Sequence, residues 1–310
     1  MKKFFRSFVI TVVVLLILVT GIYFLFPGMV LSAAVGMARW QAGVTEKTIN
    51  VGDRTWHYLE GGSGPTVLLL HGFAMNKDFW GEMVPALTEH YRIIAPDLPG
   101  FGENSLIGNE CCDLPVQSKR VHDFTESIKL KEYLLVGFSM GGGIAAWYAS
   151  EYPGEVKGLV LIDPFGLNTE AVSDMEKLIA VGEKPFVFKN IAGYERLTAL
   201  AYHNPPEIPG HFKRYVAALR AERYDTQEKI FDDLVTGGID VLRNRLNKIR
   251  AGTLVVWGDR DRIFDVSTAH VFNRGIAGSR VLIIRDAGHM VYLEKPEETV
   301  PAIVAFLQGL

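Results

Sequence analysis

Six short apolar runs constrain this chain most. Thr66–Leu70, Arg92–Ala95, Tyr133–Val136, Gly158–Ile162, Thr253–Trp257 and Val281–Ile284 are each four or five residues long and rich in Val, Ile and Leu. Continuous runs of that length suit strands buried on both faces. Segments with helical spacing lie between most of them: Asn76–Thr88, Pro115–Ile128, Met140–Tyr152 and Ser267–Gly275, with Pro296–Leu307 after the last run. Strand and helix in alternation predict an α/β architecture, a mainly parallel sheet flanked by helices. Ahead of these runs, Thr48–Asn50 and Thr55–Tyr58 flank Val51-Gly52-Asp53-Arg54, a hairpin signal. The alternation breaks between Phe165 and about Arg245. Helix-like pieces fill that stretch (Thr169–Val181, Ile191–Tyr202, Phe212–Ala221, Lys229–Val235), together with the Pro-rich turn 204–209. It is expected to be a helical cap inserted in the sheet domain.

The N-terminus belongs to a different solvent. From Ser7 to Ala38 there is no Asp, Glu, Lys, Arg or His. Its densest part, Phe8–Phe26, would make a helix about 28 Å long, enough to cross a hydrocarbon core. Lys2, Lys3 and Arg6 precede it and only Arg39 follows closely. That bias places the N-terminus in the cytoplasm and the remaining chain across the membrane. A cleaved signal peptide is the competing reading, with Ser32-Ala33-Ala34 as its small-residue site, but its apolar region would be shorter. A third reading leaves the globular part on the cytoplasmic side; the charge bias opposes it. The expected organisation is a cytoplasmic tail (1–6), a transmembrane anchor (7–27), a linker (28–47), the core in two parts (48–164 and 246–310) and the cap (165–245). In a bacterium the remaining chain would face the periplasm from the inner membrane.

Composition excludes several classes. With 48% apolar and 22% charged residues the chain is neither disordered nor collagen-like. A net charge of −3 gives no electrostatic reason to expect nucleic acid. Its two cysteines, Cys111 and Cys112, are adjacent, which rules out a disulfide framework and a zinc site built from Cys pairs. No H-E-x-x-H, P-loop or complete G-x-G-x-x-G pattern occurs, so neither metal nor cofactor is expected. Position 105 is Ser, which breaks the last of these after Gly100 and Gly102, and Asp97–Gly102 is expected to be a structural turn.

The chemistry collects at strand ends. Gly137-Phe138-Ser139-Met140-Gly141 fits G-x-S-x-G, directly after one apolar run and directly before a helical segment. That is the setting of a nucleophile elbow. A serine hydroxyl needs a base, and the base a carboxylate. His289 follows the last strand run. In hydrolases on open α/β sheets the order is serine, acid, histidine, which selects His289 over His71. Asp261, after Thr253–Trp257, is the preferred acid. Asp259, Asp265 and Asp163 compete, and Asp163-Pro164 is expected to form the turn into the cap. The oxyanion would be held by the backbone N–H groups of Met140 and Phe73. His71 would brace the latter's loop.

These residues together resemble the α/β-hydrolase superfamily over about Thr48 to Leu310. The motifs are His71-Gly72-Phe73, Asp97-Leu98-Pro99-Gly100-Phe101-Gly102, Gly137-Phe138-Ser139-Met140-Gly141-Gly142, Asp163-Pro164, Gly258-Asp259-Arg260-Asp261, Gly288-His289 and Glu294-Lys295-Pro296. The family's acid lies three residues past the Gly, which singles out Asp261. The segment His71–Trp80 and the serine motif look like a narrower group of membrane-anchored monoacylglycerol lipases and bacterial esterases and lipases. The resemblance implies an α/β-hydrolase fold and hydrolysis of carboxylic esters, with a lipid-like ester such as monoacylglycerol leading. A C–C bond hydrolase of diketone ring-cleavage products and a non-catalytic, membrane-tethered binding protein are the alternatives. In the cap, Phe186, Val187, Phe188, Ile191, Tyr194, Leu197 and Leu200 are candidates to line an acyl channel or to form the cap's own core.

Overall fold

The computed structural model describes residues 2–104, 106 and 109–310. Met1 of the expected cytoplasmic tail lies outside them, as do Ser105, Ile107 and Gly108. All six apolar runs are strands of one eight-stranded sheet: β1 (Val44–Val51), β2 (Arg54–Gly61), β3 (Thr66–Leu70), β4 (Arg92–Pro96), β5 (Tyr133–Phe138), β6 (Val156–Ile162), β7 (Gly252–Gly258) and β8 (Arg280–Ile284). Their order is β1-β2-β4-β3-β5-β6-β7-β8. From β4 to β8 the pairings are parallel; β2 runs antiparallel to both β1 and β4. The central strands β3, β5, β6 and β7 are buried over most of their length, which explains why they are uninterrupted apolar runs.

Helices α3 (Met83–Thr88), α4 (Leu114–Ser127), α5 (Met140–Glu151), α10 (Ser267–Gly275) and α12 (Pro296–Gln308) alternate with the strands, with the short helix α11 (Val291–Glu294) just before α12. Four helices, α6 (Asp174–Ala180), α7 (Ile191–Ala201), α8 (Gly210–Glu222) and α9 (Tyr224–Gly237), stand between β6 and β7, where the cap was expected. The helix expected over 76–88 begins only at Met83. Lys77 N–H is captured by the Asp97 carboxylate at 2.7 Å and Asp78 N–H by Asn76 Oδ1 at 3.0 Å, so the first turn never forms.

The N-terminal apolar helix α1 (Lys2–Leu25) has a membrane-spanning length, and its most apolar stretch is not buried against the protein. The segment 28–47, expected as a linker, is instead helix α2 (Pro27–Gln41) followed by the start of β1. Pro27 does end α1, but its fixed φ and missing N–H equally suit the first position of a new helix. Helix α2 is docked. Gly28 lies so close to Tyr215 of α8 that a Cβ would sit 2.5 Å from its hydroxyl. Arg39 grips Asp78 through two hydrogen bonds, 2.6 and 2.7 Å, and Glu46 through a third at 2.6 Å. Both carboxylates hold the guanidinium charged, raising its pKa above the ordinary value.

The tightest approach is that of α5 to the sheet. A Cβ on Gly141 would stand 2.0 Å from the Leu70 carbonyl oxygen and 2.5 Å from that of His71. Gly141→Ala should therefore cost about 1–3 kcal/mol or more through forced displacement of α5 from β3. Gly154→Ala, at a site with open space, should shift stability by less than about 0.5 kcal/mol. Thermal or denaturant unfolding of the two variants checks this; equal stabilities would contradict it.

Candidate active site

Ser139 is the single residue between β5 and α5. Its backbone is left-handed (φ 53°, ψ −119°), a conformation that costs a non-glycine residue about 1–3 kcal/mol. Surrounding hydrogen bonds impose it. Ser139 N–H donates to Ile162 O at 2.9 Å, while Ser139 O accepts from Gly143 N–H at 3.0 Å and Phe165 N–H at 2.9 Å. Gly137 and Gly141 are pressed against each other, since a Cβ on Gly137 would stand 2.3 Å from Gly141 O. The turn can close only because neither carries a side chain.

His289 lies between β8 and α11. Its Nδ1 is 2.8 Å from Asp261 Oδ2. The other carboxylate oxygen, Asp261 Oδ1, accepts from Ile263 N–H at 2.7 Å and Phe264 N–H at 3.1 Å. With Nδ1–H donating to a carboxylate, neutral His289 presents Nε2 as its basic nitrogen. That atom is buried and has no hydrogen-bond partner among the described residues. The ring stands 5.0 Å from the ring of Phe138, the residue before Ser139, and 5.3 Å from that of Phe264. Phe264 also lines the cavity onto which Ser139 opens.

Neither Asp265 nor Asp259 is hydrogen-bonded to His289 among the described residues. Asp265 Oδ1 accepts from Ser267 N–H at 2.9 Å at the start of α10. Asp259 lies 3.7 Å from Arg260. Asp163 does turn the chain into the cap, with φ 42°, but it also sits beside the pair. Ligating atoms of Asp163, Asp261 and His289 lie within 4.8 Å of one another. Burial, and next the Asp261 charge, push the Asp163 carboxyl well above the usual range, against the Gly258 N–H that favours ionisation. The cluster is organised around the imidazole, because both oxygens of Asp261 are already engaged. The group formed by Glu46, His57 and Glu103 already surrounds a cation, Lys77 Nζ, 2.5 Å from Glu103 and 3.6 Å from Glu46.

Phe73 and Met140 both line the same cavity as Ser139. Neither N–H donates a backbone hydrogen bond among the described residues, and Met140 opens α5, where helix N–H groups point outward. His71 clamps this region. Its Nδ1 lies 2.8 Å from Gly72 O and its Nε2 accepts from Leu98 N–H at 2.9 Å, tying the loop after β3 to the loop after β4. Burial lowers its pKa, so it stays the neutral imidazole that this pairing requires. Asp97–Gly102 is a structural turn: the Asp97 carboxylate accepts from Lys77 Nζ at 2.9 Å and Glu103 N–H at 2.8 Å.

The cavity has a volume of about 320 Å³, at the small end of the roughly 300–1,000 Å³ typical of ligand pockets. Core residues Phe73, Phe165, Leu167 and Phe264 form one side. Met175 and Ile179 of α6, Phe186, and Phe231, Leu234 and Val235 of α9 form the other. Of the seven cap residues considered for an acyl channel, only Phe186 lines it. Val187, Phe188 and Leu200 are buried within the cap, and Phe188 packs on Tyr194 with ring centres 6.3 Å apart. The true wall carried a signal in the i, i+4 spacing of Met175 with Ile179 and of Phe231 with Val235, but nothing in one sequence aims those stripes at Ser139.

Residues 65–203 match the α/β hydrolase fold family. The chain is 33% identical over 259 residues to monoacylglycerol lipase abhd6-B of Xenopus laevis, covering 80% of this chain and 77% of that one. It resembles the crystal structure of a membrane phospholipase A described as a bacterial virulence factor, with a TM-score of 0.88, 36% identity and 98% of each chain covered. Likeness to a 2-hydroxy-6-oxo-6-phenylhexa-2,4-dienoate hydrolase from Rhodococcus (TM-score 0.74, 22% identity, 86% of this chain and 99% of that one) extends to the fold alone. The sheet, the family match and the relatives make this chain a member of the α/β-hydrolase family.

Proposed function

We propose that Ser139, His289 and Asp261 form the catalytic relay of a membrane-tethered hydrolase of lipid-like carboxylic esters, monoacylglycerol foremost. The Asp261–His289 pair, with a free Nε2 beside the strained Ser139 turn, carries this reading. His289 Nε2 takes the Ser139 proton as Oγ attacks the ester carbonyl. The N–H groups of Phe73 and Met140 receive the developing oxyanion. His289 then protonates the departing alcohol, leaving an acyl-serine. Water, deprotonated by the same nitrogen, releases the acid. Asp261 keeps the imidazole oriented and stabilises its charged form.

Cavity chemistry supports an apolar acyl group. Ser139 and Glu176 are the only polar side chains lining it among the described residues, and Glu176 is occupied in the capping box with Ser173. The ring-cleavage alternative fits poorly. Such diketones carry a carboxylate, and no Lys, Arg or His is among the lining residues. A purely binding role leaves the strain at Ser139 and the aligned imidazole without a purpose. The apolar α1 suits a membrane anchor, and the basic residues Lys2, Lys3 and Arg6 ahead of it support a catalytic domain on the non-cytoplasmic side.

Ser139→Ala should lower kcat/KM on a medium-chain monoacylglycerol by at least about 10⁴-fold and abolish labelling by an organophosphonate; labelling that persisted would refute the nucleophile. Leu234→Lys, on the cavity wall, should cut turnover of acyl esters about tenfold or more while leaving a short acetyl ester less affected, because a buried charge opposes the longer chain. A uniform loss across chain lengths would argue against this acyl site. In carbonate-washed membranes the full chain should stay in the pellet; its release would overturn the anchor.

A further inference from the structure

We infer that Asp163 is a second carboxylate for His289, placed to hold the imidazole when Asp261 carries no charge. This deepens the proposed relay and rests on it. Asp163 follows β6 and Asp261 follows β7, so both precede His289 in the chain and both stand at C-terminal ends of neighbouring parallel strands. The Asp163 main chain is pinned to β7 by its N–H to Val256 O at 3.0 Å, and its Oδ1 accepts from Gly258 N–H at 3.0 Å. Its second oxygen, Oδ2, is buried and has no hydrogen-bond partner among the described residues. The side chain has no solvent exposure, and its oxygen lies within 4.8 Å of the ligating atoms of Asp261 and His289. A turn residue needs none of this. Its strained φ of 42° would also suit glycine or asparagine better.

The two carboxyls divide the charge by their donors. Asp261 accepts two backbone N–H groups and faces the imidazole, whereas Asp163 accepts one. Two buried carboxylates this close cannot both ionise readily. Asp163, with the fewer donors, therefore keeps the proton. The other titratable groups acting on this pocket are Glu294, which disfavours ionisation of Asp163, and Tyr292, whose own ionisation is opposed first by burial and next by Tyr202. Removing the Asp261 charge removes one of the two main causes that keep Asp163 protonated. Burial still opposes ionisation, so Asp163 loses its proton only as pH rises, and its carboxylate then supplies the negative partner that imidazolium needs.

The test compares the full-length chain in detergent as Asp261→Ala and as Asp261→Ala with Asp163→Asn, on a soluble ester, with phosphonate titration counting folded sites. Asp163→Ser serves as a second version of the double variant. Asp261→Ala should retain at least about tenfold more kcat/KM than either double variant, and its rate should climb with pH through a step that the double variants lack. Equal rates or superimposable pH profiles would overturn the inference. Ester turnover by Ser139→Ala would instead overturn the relay itself. Stability gives an independent reading. An unfolded Asp ionises near pH 4 while folded Asp163 keeps its proton, so the folded chain binds more protons above that pH. Stability should then decline as pH rises from about 4 toward the raised folded value. Asp163→Asn should remove that decline; an unchanged slope would show an ionised Asp163 and overturn the inference.

Discussion

The contact between the N-terminus of α5 and the edges of β3 and β5 underlies everything else. Gly137 and Gly141 let main chain meet main chain, and a methyl group at either would collide with carbonyl oxygens. That approach drives Ser139 into its left-handed backbone and puts its hydroxyl at the mouth of an apolar cavity. It also leaves the first N–H of α5 without a backbone acceptor among the described residues. The strain is stored locally and offset by a buried sheet whose central strands are covered on both faces.

Burial gives chemically identical side chains different work. His71 and His289 are both buried. His71 has both ring nitrogens engaged with backbone and acts as a clamp. His289 has one nitrogen on a carboxylate and one free, the arrangement of a base. Among the carboxylates, Asp97 is matched by the Lys77 ammonium and two N–H groups. Asp163 has a single N–H and no cation, so its environment favours the neutral acid. In each case the partner count sets the role.

The N-terminal helices join the membrane to the cap more directly than a linker would. Only Phe26 separates α1 from α2. Tyr23, near the end of α1, packs on His211 and Phe212 of α8 with ring centres 4.8 and 5.4 Å apart. Arg39, at the far end of α2, is bonded to Asp78 beside the core. A chain held at both ends of α2 has little freedom to reorient the cap relative to the anchor.

Local periodicity determined much of this protein: the strand runs, most helices, the apolar anchor, the serine turn and the histidine after the last strand. These are legible because a buried strand, a membrane span and a tight strand-to-helix turn each demand residue types that occur in a row. The resemblance of the motifs to a known family then favoured Asp261 among four acids. Other features were decided by contacts between residues far apart in sequence. Asp97 captures Lys77 and shortens α3 from a distance of twenty residues. The cap helices that face Ser139 are α6 and α9 and not α7, because the direction of an amphipathic stripe depends on what it packs against. Asp163 looked like a turn because its neighbourhood to Asp261 and His289 exists only once β6 and β7 lie side by side.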